Sequence, residues 1–120
     1  MKPEPEATRS YSQMVLIEKY ERVIRYLYPI AQNMPRKHGT LRGMFLECLL
    51  GLPKEIYRAG KTKQISKIYE VDARLAELRF WMRRLHENKC MTVRQLQAAQ
   101  VLVAEAGALL GAWLKRRQQG

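Results

Sequence analysis

Between Lys67 and Leu85 the apolar residues Ile68, Val71, Leu75, Leu78, Met82 and Leu85 recur in steps of three and four. That spacing lays them in one stripe along an α-helix. The segment holds neither Gly nor Pro and consists mostly of good helix formers. A second set, Ile65, Tyr69, Asp72, Ala76, Arg79, Arg83, His86 and Cys90, keeps the same period but carries charge. The pattern predicts a helix over about 62–86 that buries one face and offers a basic, partly apolar flank to a partner.

Three more segments show the same period. Leu16, Tyr20, Val23, Leu27, Ile30 and Met34 form the stripe of a first helix, capped by Thr8 or Ser10 and ended by Pro35 and Gly39. Pro29 lies inside it and predicts a kink, because proline lacks an amide donor and crowds the carbonyl four residues back. Leu41, Phe45, Cys48, Leu52 and Ile56 mark a second helix, with Thr40 as its cap, Gly60 at its end, and a bend or break near Gly51 and Pro53. Leu96, Ala99, Val103, Ala106, Leu110 and Trp113 mark the last, opened by Thr92 with Gln95 placed for a capping box. Ala98, Ala99, Ala104, Ala106, Gly107, Ala108, Gly111 and Ala112 crowd that helix and allow another helix to approach closely, within the subunit or from a neighbour. Four helices joined by short connections predict an all-α, up-down-up-down antiparallel bundle. The domain spans 10–118, after a flexible arm over 1–9 that is rich in Pro and Glu.

Charge sharpens this picture. Twenty-two basic residues against 11 acidic ones give a formal net charge of +11, which points to a polyanionic partner. Cys48 and Cys90 are the only cysteines, so there is no disulfide framework. The N-terminus carries no apolar signal core, and no run approaches the ~20 apolar residues that span a bilayer. A cytoplasmic protein without a membrane partner is expected.

The candidate chemistry is sparse. His86 and Cys90 stand one helical turn apart, but no close-spaced Cys pair joins them, and neither a metal nor a cofactor is expected. There is no nucleophile elbow and no phosphate loop. Arg79 and His86 lie two turns apart on one face, which fits loosely the Arg and His pair of some all-helical ribonucleases, although Phe80 stands where those enzymes place a polar residue. The richer signal is basic. Lys63, Lys67, Arg74, Arg79, Arg83 and Arg84 decorate the third helix, while Arg36, Lys37, Lys115, Arg116 and Arg117 lie near helix ends. Arg suits forked contacts to phosphate or carboxylate. Phe80 and Trp81 interleave with these residues and offer faces for stacking on bases or for burial in a partner. The alternatives are a solvated charged face, a ribonuclease, or a stand-alone nucleic-acid-binding bundle.

The runs Tyr20-Glu-Arg-Val-Ile-Arg-Tyr-Leu-Tyr-Pro-Ile-Ala31, Pro35-Arg-Lys-His-Gly39, Leu78-Arg-Phe-Trp-Met-Arg83 and Leu110-Gly-Ala-Trp-Leu114 resemble the accessory variability determinant (Avd) of diversity-generating retroelements. The likeness covers nearly the whole chain and extends to the related ribosomal intervening-sequence proteins. It implies a four-helix bundle assembled as a homopentameric barrel, non-enzymatic, binding the reverse transcriptase of the same retroelement. It further implies binding of RNA and DNA with little sequence preference, in support of error-prone cDNA synthesis and mutagenic retrohoming. Arg79 and Arg83 match the family's basic helix, so partner binding is expected there. Gly51-Leu-Pro53 departs from the family pattern and bears on the straightness of the second helix.

Overall fold

The computed structural model describes residues 6–119, with side chains from Tyr11 onward. Four helices follow one another: α1 (Glu6–Gln32), α2 (Gly39–Gly60), α3 (Ile65–Glu87) and α4 (Val93–Gln119), with a single 3-10 turn (Arg36–His38) before α2. Each helix packs against two others, α1 on α2 and α4, and α3 on α2 and α4, while the diagonal pairs stay apart. The short connections reverse direction each time, so the bundle is antiparallel and elongated, 51 × 23 × 18 Å.

The stripes form the core. All six apolar residues of the α3 stripe are buried, as are Leu16, Tyr20, Val23 and Leu27 of α1, Phe45, Cys48, Leu52 and Ile56 of α2, and Ala99, Val103, Ala106, Leu110 and Trp113 of α4. Burying one such aliphatic or aromatic side chain contributes about 1.5–3 kcal/mol, which is why the 3.6-residue period dominates every other signal in the chain. Ile30, Leu41 and Leu96 lie at the helix ends and are half-buried against this core.

Helix ends depart from expectation more than helix faces. The first helix already includes Glu6, so Thr8 and Ser10 lie inside it; of the segment expected to be an arm, residues 6–9 are helical and 1–5 fall outside the described residues. Thr40 does not cap α2. The 3-10 turn carries the chain directly into the helix at Gly39, leaving Thr40 one residue inside. The third helix starts at Ile65 and not at Thr62, because Thr62 Oγ1 accepts the Gln64 amide at 3.2 Å, a local side-chain bond that competes with helical pairing. The fourth helix opens as expected: Gln95 N donates to Thr92 Oγ1 at 3.0 Å, and Thr92 N donates to Gln95 Oε1 at 2.9 Å.

Neither proline ends its helix. Pro29 lies within α1 and Pro53 within α2, and α2 runs unbroken through Gly51 to Gly60. At Pro53 the missing amide would have served the carbonyl of Leu49, four residues back. The Tyr20 hydroxyl, from α1, donates to that carbonyl at 2.6 Å. A buried helix defect in α2 is thus satisfied by a neighbouring helix, and α2 needs no break. Burial, with a smaller contribution from Cys48, pushes the Tyr20 phenol far above its usual range, so it remains a proton donor. Tyr20→Phe is expected to destabilise the fold by about 1–3 kcal/mol, the cost of stranding a buried acceptor. In a Pro53→Ala background, where an amide is restored, the loss should shrink to about 1 kcal/mol or less; denaturant unfolding of the four-member cycle measures the difference. Equal losses in both backgrounds would refute the pairing.

The fourth helix does have the length and composition to cross a membrane, with a mean hydropathy of 1.2 over its most apolar window. Leucine, valine and alanine keep that average high, interrupted by Gln97, Gln100 and Glu105. Only 28% of the window is buried, because Val101, Ala104, Ala108 and Gly111 face outward.

Candidate functional site

The outward face of α3 carries the arginines. Three of the basic residues expected to bind a partner are engaged locally. Lys67 pairs with Glu70 at 3.4 Å, Arg74 with Glu77 at 3.1 Å, and Arg84 with Glu87, each three residues ahead on the same helix. Arg84 also lies over the Phe80 ring, 5.1 Å from its centroid. These exposed pairs contribute little to stability, but they neutralise part of the flank. Arg79, Arg83 and Lys63 form no ion pair among the described residues. Arg83 and Lys63 are exposed and Arg79 is half-buried.

The position of Arg79 follows from the small residues of α4. A β-carbon placed on Gly107 would come within 3.1 Å of Arg79 Nη2. The guanidinium therefore lies in the α3–α4 groove, over bare backbone, with Arg83 one turn further along. Glycine at 107 makes the room that a larger residue would fill. Arg79 and Arg83 thus share one side of α3, Arg79 in the groove and Arg83 exposed beyond it.

Phe80 and Trp81 separate in role. Phe80 is 40% exposed. Trp81 is half-buried against the core, donates Nε1–H to Glu77 Oε2 at 3.1 Å, and meets Phe80 edge-on with centroids 5.0 Å apart. Stacking on a base is open to Phe80, while Trp81 is committed to the bundle.

The α3–α4 turn accounts for His86 and Cys90. His86 Nδ1–H donates to the Met91 carbonyl at 3.0 Å, which fixes the ring as a helix-end residue. Along α3, Arg79 and His86 are about 10 Å apart in rise. Cys90 lies near the Asn88 carbonyl, at 3.7 Å; burial raises its pKa and Lys37 opposes the shift. Cys48 is in the core. Burial first, then Glu77 and Glu47, against an opposing Arg74, push its thiol up to about 12, and it donates to the Arg74 carbonyl at 3.5 Å. Among the described residues no three His, Cys, Asp or Glu side chains converge.

At the far end of the bundle two basic residues serve the fold. Arg117 is buried, 4% exposed. Its Nη1 donates to the Gln64 carbonyl at 3.2 Å and its Nη2 to the Ala59 carbonyl at 3.1 Å, while the guanidinium lies 5.2 Å from the Trp113 ring centroid. It closes the α2–α3 turn. Arg116 is half-buried and donates to Ser12 Oγ at 2.6 Å, tying α4 to α1. The Lys115-Arg-Arg117 run therefore divides: Lys115 is exposed, Arg116 is partly used, and Arg117 belongs to the core.

Basic charge collects at both ends of the rod. No acidic residue occurs in 22–46 or 88–104, the stretches that hold the α1–α2 and α3–α4 turns. The same is true of 56–69 and 106–120, which meet at the opposite end. Glu18, Glu47, Glu55, Glu70, Asp72, Glu77 and Glu105 lie inside the helices, and Glu87 closes α3 at the first of these ends. Treating the +11 as one quantity misses this segregation and leaves Lys89, Arg94, Lys61 and Arg42 out of the candidate surface. The spacing between acidic residues is the signal in the sequence that finds them.

Fold and surface together define a basic four-helix bundle with an unpaired arginine flank and no assembled catalytic centre among the described residues. A model of the bAvd-like family matches residues 14–117, and the chain belongs to that family, one of accessory proteins. No curated protein matches it. The resemblance to accessory variability determinants read from four separated runs is in accord with this match, which extends over all four helices.

Proposed function

We propose that this protein is the accessory subunit of a diversity-generating retroelement, docking the element's reverse transcriptase through the α3 flank and holding nucleic acid through its basic surface. The observation that carries the reading is the pair Arg79 and Arg83. In a family of accessory proteins, two arginines one turn apart on one helix, without an ion pair among the described residues, are a site for a carboxylate or phosphate partner. Error-prone copying is then the polymerase's chemistry, and the bundle supplies binding.

Assembly belongs to the same reading. Val101, Ala104, Ala108 and Gly111 lie in one exposed line on α4, and nothing lies within 4 Å of the place a Gly111 β-carbon would take. A neighbouring copy could approach closely there, and the family resemblance supplies the number five. Light scattering at micromolar concentration is expected to give a pentamer; a monomer would end this part of the proposal.

The nucleic-acid reading is tested by salt. A net charge of +11 per chain, multiplied by assembly, makes phosphate contact the main source of affinity. Affinity for RNA and for DNA should be similar between unrelated sequences and should fall steeply as salt rises, by about a thousandfold or more between 50 and 200 mM if six or more phosphates are neutralised. A salt-insensitive affinity would count against it.

A further inference from the structure

Lys89 occupies a backbone position that favours glycine. Its φ is 63°, the left-handed region, and it is the one non-glycine residue with positive φ among those described. The reason is the way α3 ends. Cys90 N donates to the Leu85 carbonyl at 2.8 Å and Lys89 N to the His86 carbonyl at 3.0 Å, a reversal in which the residue past the C-cap must turn left-handed. Glycine fills that position without steric cost, and asparagine at little. A lysine there works against the backbone.

A second choice at the same end also runs against local preference. Arg94 lies in the first turn of α4, where the helix dipole disfavours a cation. Arg36 and Lys37, in the 3-10 turn before α2, are exposed alongside. Asn33 and Pro35 of the first connection, Lys89 and Cys90 of the third and Gln95 of α4 line one concavity of ≈ 400 Å³, so the two turns adjoin. The reach of Lys37 to Cys90 agrees with this. Arg36, Lys37, Lys89 and Arg94 make no ion pair among the described residues. Glu87, the acidic residue nearest in sequence to Lys89, is held by Arg84. Lys89 works against the backbone and Arg94 against the helix dipole, and with Arg36 and Lys37 they leave like charges at one end of the bundle, as a phosphate-binding surface requires.

The geometry points to this end of the bundle, with Lys89, Arg36, Lys37 and Arg94, as the surface that contacts a nucleic-acid phosphate backbone. The inference rests on the nucleic-acid reading above and narrows it to one end and four side chains. It sets this end apart from the other, where Arg117 is buried and Arg116 is drawn toward Ser12.

The test uses the whole chain and a fluorescein-labelled oligouridylate, titrated by anisotropy at several salt concentrations. Lys89→Gly should fold better and bind worse. Relief of the left-handed strain should raise the melting temperature by roughly 3 °C. Loss of one contact per chain should lower the log–log salt slope by about 0.7 and the affinity about fivefold at 0.1 M salt, more if several copies contact one strand. Lys89→Arg, which keeps the charge and the strain, should bind as the wild type does. A Lys89→Gly protein with wild-type slope and affinity would overturn the assignment, as would a Lys89→Arg protein as impaired as Lys89→Gly. Absence of any binding by the wild type would instead remove the nucleic-acid reading, and this inference with it.

Discussion

Arg79→Ala combined with Arg83→Ala is expected to abolish capture of the reverse transcriptase while the bundle stays folded and assembled. Arg83 is exposed and Arg79 half-buried, and neither side chain pairs with an acid among the described residues. Removing them strands no internal partner, and alanine is the better helix former. Stability should change by less than about 1 kcal/mol. At an interface the same two groups would be desolvated against carboxylate or phosphate. Truncating such a contact costs about 2–5 kcal/mol, or roughly one and a half to three and a half decades of affinity. Co-expression and pull-down with the polymerase measures the loss, and retrohoming should fail with it. Lys115→Ala, at the opposite end, is the control: it should weaken RNA binding slightly and spare the polymerase. Wild-type capture by the double variant would remove the α3 flank as the docking surface. Dissociation of the oligomer without unfolding would place the arginines between copies of this chain instead.

Arg117→Ala should have the largest effect on the fold of any basic substitution. Arg117 is 4% exposed and bridges the Ala59 and Gln64 carbonyls from the last turns of a distant helix. Ala59 lies in the final turn of α2, where carbonyls have no intrahelical donor. Truncation would leave the Ala59 carbonyl unserved, leave the Gln64 carbonyl only the Lys67 amide at 3.3 Å, and open space beside Trp113. Hydrogen bonds to charged groups are worth about 1.5–3 kcal/mol each, and the guanidinium–indole contact adds up to about 2 when desolvated. We expect a loss of about 3–5 kcal/mol, in line with breaking a buried charged cluster, and a fall in melting temperature on the order of 10–20 °C for a domain of this size. Arg117→Lys should recover only part of it, since one ammonium cannot reproduce a fork to two carbonyls. Urea unfolding gives the values. A loss under about 1 kcal/mol would mean that water replaces the guanidinium.

The two arginine predictions separate what a basic residue does by where it lies. Arg79 and Arg117 are both arginines on the inner flank of a helix, and their neighbours in sequence distinguish them poorly. Arg79 follows Leu78 of the core stripe, and Arg117 continues the α4 stripe four residues past Trp113. That last spacing is visible in the sequence. It reads as a charged helix end because arginine is rarely buried without a partner, and the partners come from another part of the chain.

The sequence by itself determined the four helices and nearly all of their buried faces. Period is a property of consecutive residues: once Ile68, Val71, Leu75 and Leu78 share a face, any packed structure must cover it. The Thr92–Gln95 box was legible for the same reason, since both halves lie within four residues. The arginine flank was legible as the stripe next to the core. Only the tertiary structure decided how α2 survives Pro53, because the donor that replaces its missing amide, Tyr20, comes from 29 residues before Leu49. It alone decided that Arg117 is a core residue, with an acceptor 58 residues away at Ala59. It also brought Lys89 beside the first connection at one end of the rod. Hydrophobic burial needs only the right face, and many neighbours serve. A buried hydrogen bond or a cluster of like charges needs particular atoms at particular distances, and these are set when the helices pack.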